Sequence, residues 1–523
     1  MSLEMNRRQA MVLGATSVAA LAVSDQASAA KSSLPELPPG SVQSHDERLK
    51  HTLDSQVTDP QDRWCGAIPD QYGIHYCSAA GALIRDAVAA YFLPQSRFHR
   101  SQDLLHRIEL AAGFLRRSQN AEGNIDLPAT NFNSPPDTAF VVHSVATAAA
   151  LAKINRDDAI LGCLKDFLLK AGQALTKGGI HTPNHRWVVC AALAQINDLF
   201  HDRQYVERID QWLAEGIDID EEGQFTEKST AGYNTIVDSA LIVIAHKLSR
   251  PKLLEPVRKN LDAMAYLLHP NGEVVTEISH RQDLNTRGTM AGYWFALRYL
   301  ALRDRNGLYA AMLASLEPDH VELHRLMEYP EIGKVLPEAK PIPDDYERKY
   351  NLAGITRIRR GKTSVTILHT DNSRWVSFRR GDAVINAVRF ASAFFGKGQF
   401  TPASFEKRED AYYFRQDLQG RYLQPVADPA LLPVRPDNWP ALVARRKMTE
   451  ICRMTYEACI RETAKGFEVA ISAKGTDNVP LTVEINLREG GQLTGVAAAP
   501  ASPDAFLLKD GFVEYRMASD GIR

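Results

Sequence analysis

The 523-residue chain reads as two successive units, an α-helical one followed by an antiparallel β one. Three observations carry that reading. Apolar residues recur at helical spacing from about Cys77 to Leu316. Within that stretch a glycine, any residue and an apolar residue return about every 50 residues, the length of one helical hairpin. After a proline-punctuated stretch the apolar period drops to two. The length alone favours more than one core.

Residues 1–29 read as an address. Asn6-Arg7-Arg8 is basic, Ala10 to Val23 is mildly apolar, and Ala27-Ser28-Ala29 offers small residues for cleavage. This is the pattern of a signal peptide, with paired arginines of the twin-arginine type. The mature protein is expected in the periplasm or outside the cell. No later segment reads as long and apolar enough to span a membrane, so no stable insertion is expected after the signal is removed. Residues 30–76 read as an N-terminal extension.

Residues 77–329 form the helical unit. Val189, Ala192, Leu193, Ile196 and Phe200 share one helical face, as do Ile236, Ala240, Leu241, Ile244 and Leu248. The repeated pattern falls at Gly123-Asn124-Ile125, Gly178-Gly179-Ile180, Gly223-Gln224-Phe225 and Gly272-Glu273-Val274. Each glycine permits a sharp turn. Stacked hairpins of this kind form a solenoid, or close into an α/α toroid, an incomplete barrel of helical hairpins. Loops at one end then line a common cavity.

Pro330, Pro337, Pro341 and Pro343 mark residues 330–348 as a linker. Residues 349–523 alternate as half-buried strands do: Val365, Ile367 and His369; Phe467, Val469 and Ile471; Leu481, Val483, Ile485 and Leu487. An antiparallel β-sandwich is expected. From Lys349 to Arg389, nine Lys or Arg stand against Asp371 and Asp382. That run suits a solvated strand face or the wall of a groove for an acidic polymer.

Composition bounds the chemistry. Hydrophobic content of 45%, charged content of 24% and a net charge of -2 are those of a soluble globular protein with no global field for nucleic acid. Six cysteines form no C-x-x-C pair; Cys163 and Cys190 sit in apolar helical patterns and read as buried free thiols.

The polar residues that stand out cluster in the repeat loops. His181, Asn184, His185 and Arg186 follow Gly178; Glu227, Tyr233 and Asn234 follow Gly223; Glu277, His280 and Arg281 follow Gly272; Asp137 precedes another helical run. Each also has a purely structural reading. Asn184 is a favoured helix N-cap, Tyr233 a core tyrosine, His185 a satisfied buried histidine, and His280-Arg281 a surface pair. His181 and His185 stand four apart, but Pro183 between them argues against a shared helical face for a metal. No metal and no cofactor are expected.

Helical hairpins, a proline-rich linker and a β unit, with Asn184-His185 opening one inner helix and Tyr233 the next, resemble the heparinase II/III-like polysaccharide lyases. The resemblance implies β-elimination on a uronic-acid polysaccharide. It implies that Asn184 and His185 neutralise the substrate carboxylate and that Tyr233 gives or takes a proton. Such lyases often carry a further histidine on the β unit, in a stretch comparable to 391–400. That stretch has none here, so either His369 or His280 takes the role, or the role is absent.

The residue types suit the chemistry. Removing the weakly acidic C5 proton of a uronate builds charge on its carboxylate, so donors aimed there favour the transition state. Asn184 offers two hydrogen bonds, His185 a charge-assisted one, and Arg281 a bidentate grip. Asp137, Glu227, Asn234, His280, Arg281 and His369 are the expected substrate-binding residues. Two other readings stand beside this one. A glycoside hydrolase on the same scaffold needs a carboxylate pair, for which Asp137, Glu227 and Glu277 are available. A glycan-binding protein needs aromatic platforms, and aromatic content is 8%.

Overall fold

Inner helices that are apolar on every side and outer helices that are apolar on one face set the first half of the architecture. The computed structural model describes residues 37, 40–316, 321–500, 502–509, 511–518 and 520–522. The signal-peptide reading of residues 1–29 lies outside the described residues.

The helices are α1 (Ser41–Asp54), α2 (Cys77–Phe92), α3 (Gln102–Ser118), α4 (Pro135–Ile154), α5 (Asp158–Lys177), α6 (Asn184–Phe200), α7 (Arg203–Leu213), α8 (Tyr233–Lys247), α9 (Leu254–Met264), α10 (Trp294–Arg303), α11 (Gly307–Ala314) and α12 (Leu323–Glu328). A short hairpin, β1 (Ile125–Leu127) and β2 (Asn131–Ser134), precedes α4. Helices α2, α4, α6, α8 and α10 pack successively as an inner layer, and α3, α5 and α7 as an outer one. The sequence explains the division. Helix α6 buries Trp187 through Ile196 without a break, as an element covered on all sides must. Helix α7 buries only Tyr205 and Ile209. Helix α1, within the stretch read as an extension, packs on α2 and brings Leu49 and Leu53 into the same core.

Helix α4 narrows one expectation. By length and mean hydropathy it is apolar enough to cross a membrane. Its alanine-rich surface is instead buried between α2, α5 and α6, where small side chains let helices approach closely. After the last hairpin, α12 folds back onto α2 and α4. It buries Glu328 against Lys247 Nζ (3.1 Å) and Thr147 Oγ1 (3.1 Å).

The repeat is real but shifted. Equivalent turns run Asp70–Gly73, Asn120–Gly123, Asp220–Gly223 and His269–Gly272, each closed by the glycine N–H donating to the first residue's carbonyl. All four glycines have φ between +77° and +105°, which L side chains rarely adopt. In three of them the leading Asp or Asn side chain also accepts backbone N–H groups. Gly178 is not a member. It ends α5 at φ −68° and lies against Pro135, where a Cβ would come within 2.5 Å of the ring. The four turns lead into the N-terminal ends of α2, α4, α8 and α10, and the 178–183 connector does the same for α6. The inner helices therefore all start at one end of the domain.

The β half starts with β3 (Asp345–Tyr350), β4 (Ile355–Arg360), β5 (Thr363–Leu368), β6 (Val376–Arg380), β7 (Ala383–Phe394) and β8 (Lys397–Gln399). It continues with β9 (Ser404–Arg408), β10 (Ala411–Leu423), β11 (Met448–Thr463), β12 (Gly466–Gly475) and β13 (Leu481–Leu487). One antiparallel sheet runs β13-β7-β6-β5-β4-β3, with β8 on β7, and a second runs β12-β11-β10-β9. They share a core of Val365, Ile367, Trp375 and Phe390 from one and Phe414, Tyr456 and Ile460 from the other.

The two-residue period then puts the intervening side chains on the opposite face, against the helical unit. Ser364 Oγ meets His269 Nδ1 at 2.9 Å, and Arg357, paired in register with Thr366, reaches the same imidazole at 3.3 Å. Arg379 and Arg488 close on Glu273. Two members of the basic run are therefore neither on a solvated face nor on a groove wall, while Lys349, Lys362, Arg374 and Arg380 are exposed. Arg357 and Arg379 are buried at the junction of the two halves.

Strand β13 departs from expectation the other way. Val483 and Ile485 pair with Phe390 and Val388 and point to the core face, yet they are 52% and 55% exposed. At the sheet's edge the core no longer covers them.

Candidate active site

Three connectors meet at the common end of the inner helices, and a chain of side-chain contacts crosses all three. Asn184 opens α6, with Pro183 before it, and it makes no capping hydrogen bond. It is therefore not the N-cap expected from its residue type. Its side chain turns inward instead. Nδ2 donates to Thr182 Oγ1 (3.1 Å) and to Glu227 Oε2 (2.6 Å), so both amide hydrogens are engaged. Glu227 lies 3.4 Å from Arg281 Nε. Arg281 Nη2 donates to the Tyr233 hydroxyl at 3.3 Å, with its guanidinium carbon 4.6 Å from the centre of the Tyr233 ring.

Local sequence explains the placement. Tyr233 is the first residue of α8, and its N–H donates to Ser229 Oγ (2.9 Å). The Asp283 carboxylate accepts from Ser229 Oγ (2.9 Å), Ser279 Oγ and Ala231 N–H (3.2 Å). It thereby ties the α7–α8 connector to the α9–α10 connector, which carries Arg281. Sequence reasoning missed Asp283. An aspartate two residues from an arginine carries no distinctive pattern, and two of its partners, Ser229 and Ala231, lie about 50 residues away.

His185 is buried at the next position of α6. Its ring meets His181 edge-on at 4.6 Å and Phe140 at 6.0 Å. Burial drives its pKa down to about 4; the charges of His181 and Arg281 add to that, and Asp137 opposes it. The imidazole is neutral near pH 7, and buried Nδ1 has no partner among the described residues. This corrects the expected charge-assisted grip, because a neutral imidazole brings no cation to a carboxylate. Arg186 also leaves the site. It pairs instead with Glu215 (3.1 Å) and Asp218 (2.7 Å).

The remaining expected residues divide. Asp137 sits in the first turn of α4, where Oδ2 accepts from Ser134 Oγ (2.5 Å) and Asn131 Nδ2 (2.8 Å), while its N–H donates to Ser134 Oγ, the cap of that helix. Its charge is still felt at His185. Asn234 is buried and donates to Gln224 Oε1 (3.1 Å), facing the core. His280 is exposed and joins the cluster through its main chain, whose N–H donates to the Glu227 carbonyl (2.9 Å). His369 is not brought in: its ring stacks on Phe405 at 4.0 Å and Nε2 meets Thr356 Oγ1 at 3.0 Å. Glu277 faces the β half, where Oε1 accepts from Ser377 Oγ (3.1 Å). Among the described residues, no group of three or more His, Cys, Asp or Glu is placed to hold a metal ion.

No family model and no curated protein matches the chain. Solved structures do. A xanthan lyase from Paenibacillus is similar at a TM-score of 0.55 and 9% identity, over 85% of this chain and 46% of that one. A chondroitin AC lyase from Streptomyces coelicolor A3, solved with chondroitin sulphate, is similar at a TM-score of 0.56 and 13% identity, over 88% of this chain and 70% of that one. The chain thus spans under half the length of the first. At such identities the likeness shows a shared fold, that of polysaccharide lyases with helical and antiparallel β content. A sugar epimerase from a ruminal bacterium matches at a TM-score of 0.39 over 53% of the chain, too low to carry an argument.

Proposed function

We propose that this protein is a periplasmic or secreted polysaccharide lyase of the heparinase II/III-like kind. It cleaves a uronic-acid-containing glycan by β-elimination, on an incomplete α/α toroid joined to a β-sandwich. The observation that carries the reading is Arg281 lying over Tyr233 while donating to its hydroxyl. A tyrosine that only fills space needs no cation at its oxygen.

In the elimination, the C5–H bond breaks, a C4–C5 double bond forms and the C4–O bond breaks. Arg281 faces the substrate carboxylate, where charge builds up, and Asn184 acts beside it through its bond to Glu227. Neutral His185 carries one unprotonated ring nitrogen and accepts the C5 proton. Because Arg281 donates to Tyr233 Oη, the hydroxyl hydrogen is free to go to the leaving oxygen. The phenoxide left behind faces a guanidinium, and water restores both side chains.

The hydrolase reading finds less support. Asp137 is committed to a helix start, Glu277 to the β half, and Glu227 to Asn184 and Arg281. The product decides between them: a lyase leaves a conjugated double bond that absorbs ultraviolet light. A panel of uronate polysaccharides is expected to yield one with ultraviolet gain. Tyr233→Phe should then lose on the order of 10²-fold or more in rate with its thermal midpoint kept. Near-normal gain in that variant would sink the mechanism.

A further inference from the structure

Glu227 presents a difficulty for any acidic ligand. It is a buried carboxylate, 8% exposed at its side chain, and it already pairs with the amide and the cation that an incoming carboxylate needs. Oε2 takes Asn184 Nδ2 at 2.6 Å, and Oε1 forms an ion pair with Arg281 Nε at 3.4 Å without a hydrogen bond. Asn184 has no hydrogen to spare, because its other one goes to Thr182. A second carboxylate brought to Arg281 would meet Glu227 as a like charge at short range.

We propose that Glu227 is the internal occupant of the carboxylate-binding donors, and that an acidic sugar enters this site together with one proton, which Glu227 takes up. This rests on the lyase reading for the identity of the ligand as a uronate. The exchange is chemically balanced. Glu227 takes the proton from solvent and becomes neutral, so Arg281 is released to the ligand carboxylate. The new Glu227 O–H becomes a donor to that same carboxylate, so no buried acceptor is left without a hydrogen. Two carboxylates sharing one proton is the state expected when like charges cannot both stay ionised.

The surroundings prepare Glu227 for that. Burial holds its carboxyl above the usual carboxylate range. The Asn184 hydrogen bond and the Arg281 charge oppose this, and Asp218 and Asp283 push it further up. Those are the charged groups that reach it: Arg281 and Asp283 from the α9–α10 connector and Asp218 from its own. The ligand's own negative charge adds to the two aspartates. A glutamate whose only task was to orient Asn184 and Arg281 would bind uronate with no proton exchange.

The test uses D-glucuronate and D-galacturonate as probes of the full chain, with glucose as the uncharged control. Calorimetry at pH 7 in two buffers of different ionisation heat should show about one proton taken up per uronate bound. Uronate affinity should fall as pH rises, approaching tenfold per unit. Glu227→Gln, which imitates the protonated form, should bind at least tenfold tighter at pH 8 with a flat pH profile. Parallel pH profiles in the two proteins overturn the proposal, as do zero proton uptake or the absence of uronate binding by Glu227→Gln. Should Glu227→Gln fail to fold, the proton count on the unaltered protein still decides. The lyase reading fails separately: uronate binding with proton uptake, but no ultraviolet gain from any polymer, leaves the proposal standing and removes the chemistry.

Discussion

The Arg281 guanidinium carbon lies 4.6 Å from the centre of the Tyr233 ring while Nη2 sits 3.3 Å from the Tyr233 oxygen. One flat side chain makes both contacts and also reaches Glu227 at 3.4 Å. That combination depends on a planar fork.

Arg281→Lys tests it. Lysine keeps the charge but has one compact ammonium, which cannot stack on the ring and meet two oxygens at once. The variant should keep its thermal midpoint, because Arg281 lies in a half-exposed loop, and lose roughly tenfold or more in kcat. Equal kcat in the two proteins would show that charge alone is enough and that the stacked geometry has no catalytic role.

How much of this was legible in the sequence depends on range. The helical and strand periods, and the change between them after the prolines, follow from local side-chain spacing, which the sequence displays. The clustering of Asn184, Glu227, Tyr233 and Arg281 was legible as a convergence of repeat loops, because a repeat brings equivalent loops to one end. The turn family was legible only in part. Gly178 matched the short pattern without the preceding Asp or Asn that closes the turn, and Asp70–Gly73 has that residue and was passed over. What the sequence hid were choices made by distant partners. Arg186 and Arg281 look alike as neighbours of a histidine, but Asp218 pairs with the first and Glu227 with the second. The burial of Arg357 and Arg379 was hidden because His269 and Glu273 lie about 100 residues before them.

Asn184→Ala separates the helix-start role from the site role. Asn184 makes no capping hydrogen bond, so α6 should keep its helicity by circular dichroism. The bond to the Glu227 carboxylate is charge-assisted, and losing it should cost about 1.5–3 kcal/mol in denaturant unfolding. Uronate turnover should fall with it. A large loss of helicity would restore the cap reading.

Acidification should destabilise the fold through its buried histidines. Burial lowers His143 and His185 from the ordinary 6.5 to about 4 each. The unfolded chain then binds more protons than the folded one between those values. Stability from this source is complete above pH 6.5 and is lost as pH falls towards 4, by at most ~3 kcal/mol per histidine. Unfolding free energies at pH 7.5 and 5 measure the loss. His143→Gln, which keeps a donor for the Val188 carbonyl, should shrink the gap between the two; an unchanged gap would assign the acid sensitivity elsewhere.

Glu273 should be the residue that joins the two halves. It follows the Gly272 turn of the helical unit, and its carboxylate accepts from Arg379 of β6 and from Arg488 after β13 at 2.8 and 2.7 Å. Glu273 and Arg379 are buried, and the Arg488 side chain is 11% exposed. Burial alone would raise the Glu273 carboxyl, but the Arg488 hydrogen bond and the two guanidinium charges outweigh it, and the net direction is down. The stability it supplies is therefore present above the ordinary carboxylate range and fades as pH falls through the lower folded value. Removing one member of such a cluster strands the others. Glu273→Ala leaves two buried cations facing each other and should cost roughly 3–5 kcal/mol. Glu273→Gln keeps an acceptor and should cost less. Because the bonds cross from one unit to the other, calorimetry of Glu273→Ala should show the helical and β halves melting in separate steps. A single transition at the unaltered midpoint would mean that His269, Arg357 and Ser364 hold the junction without it.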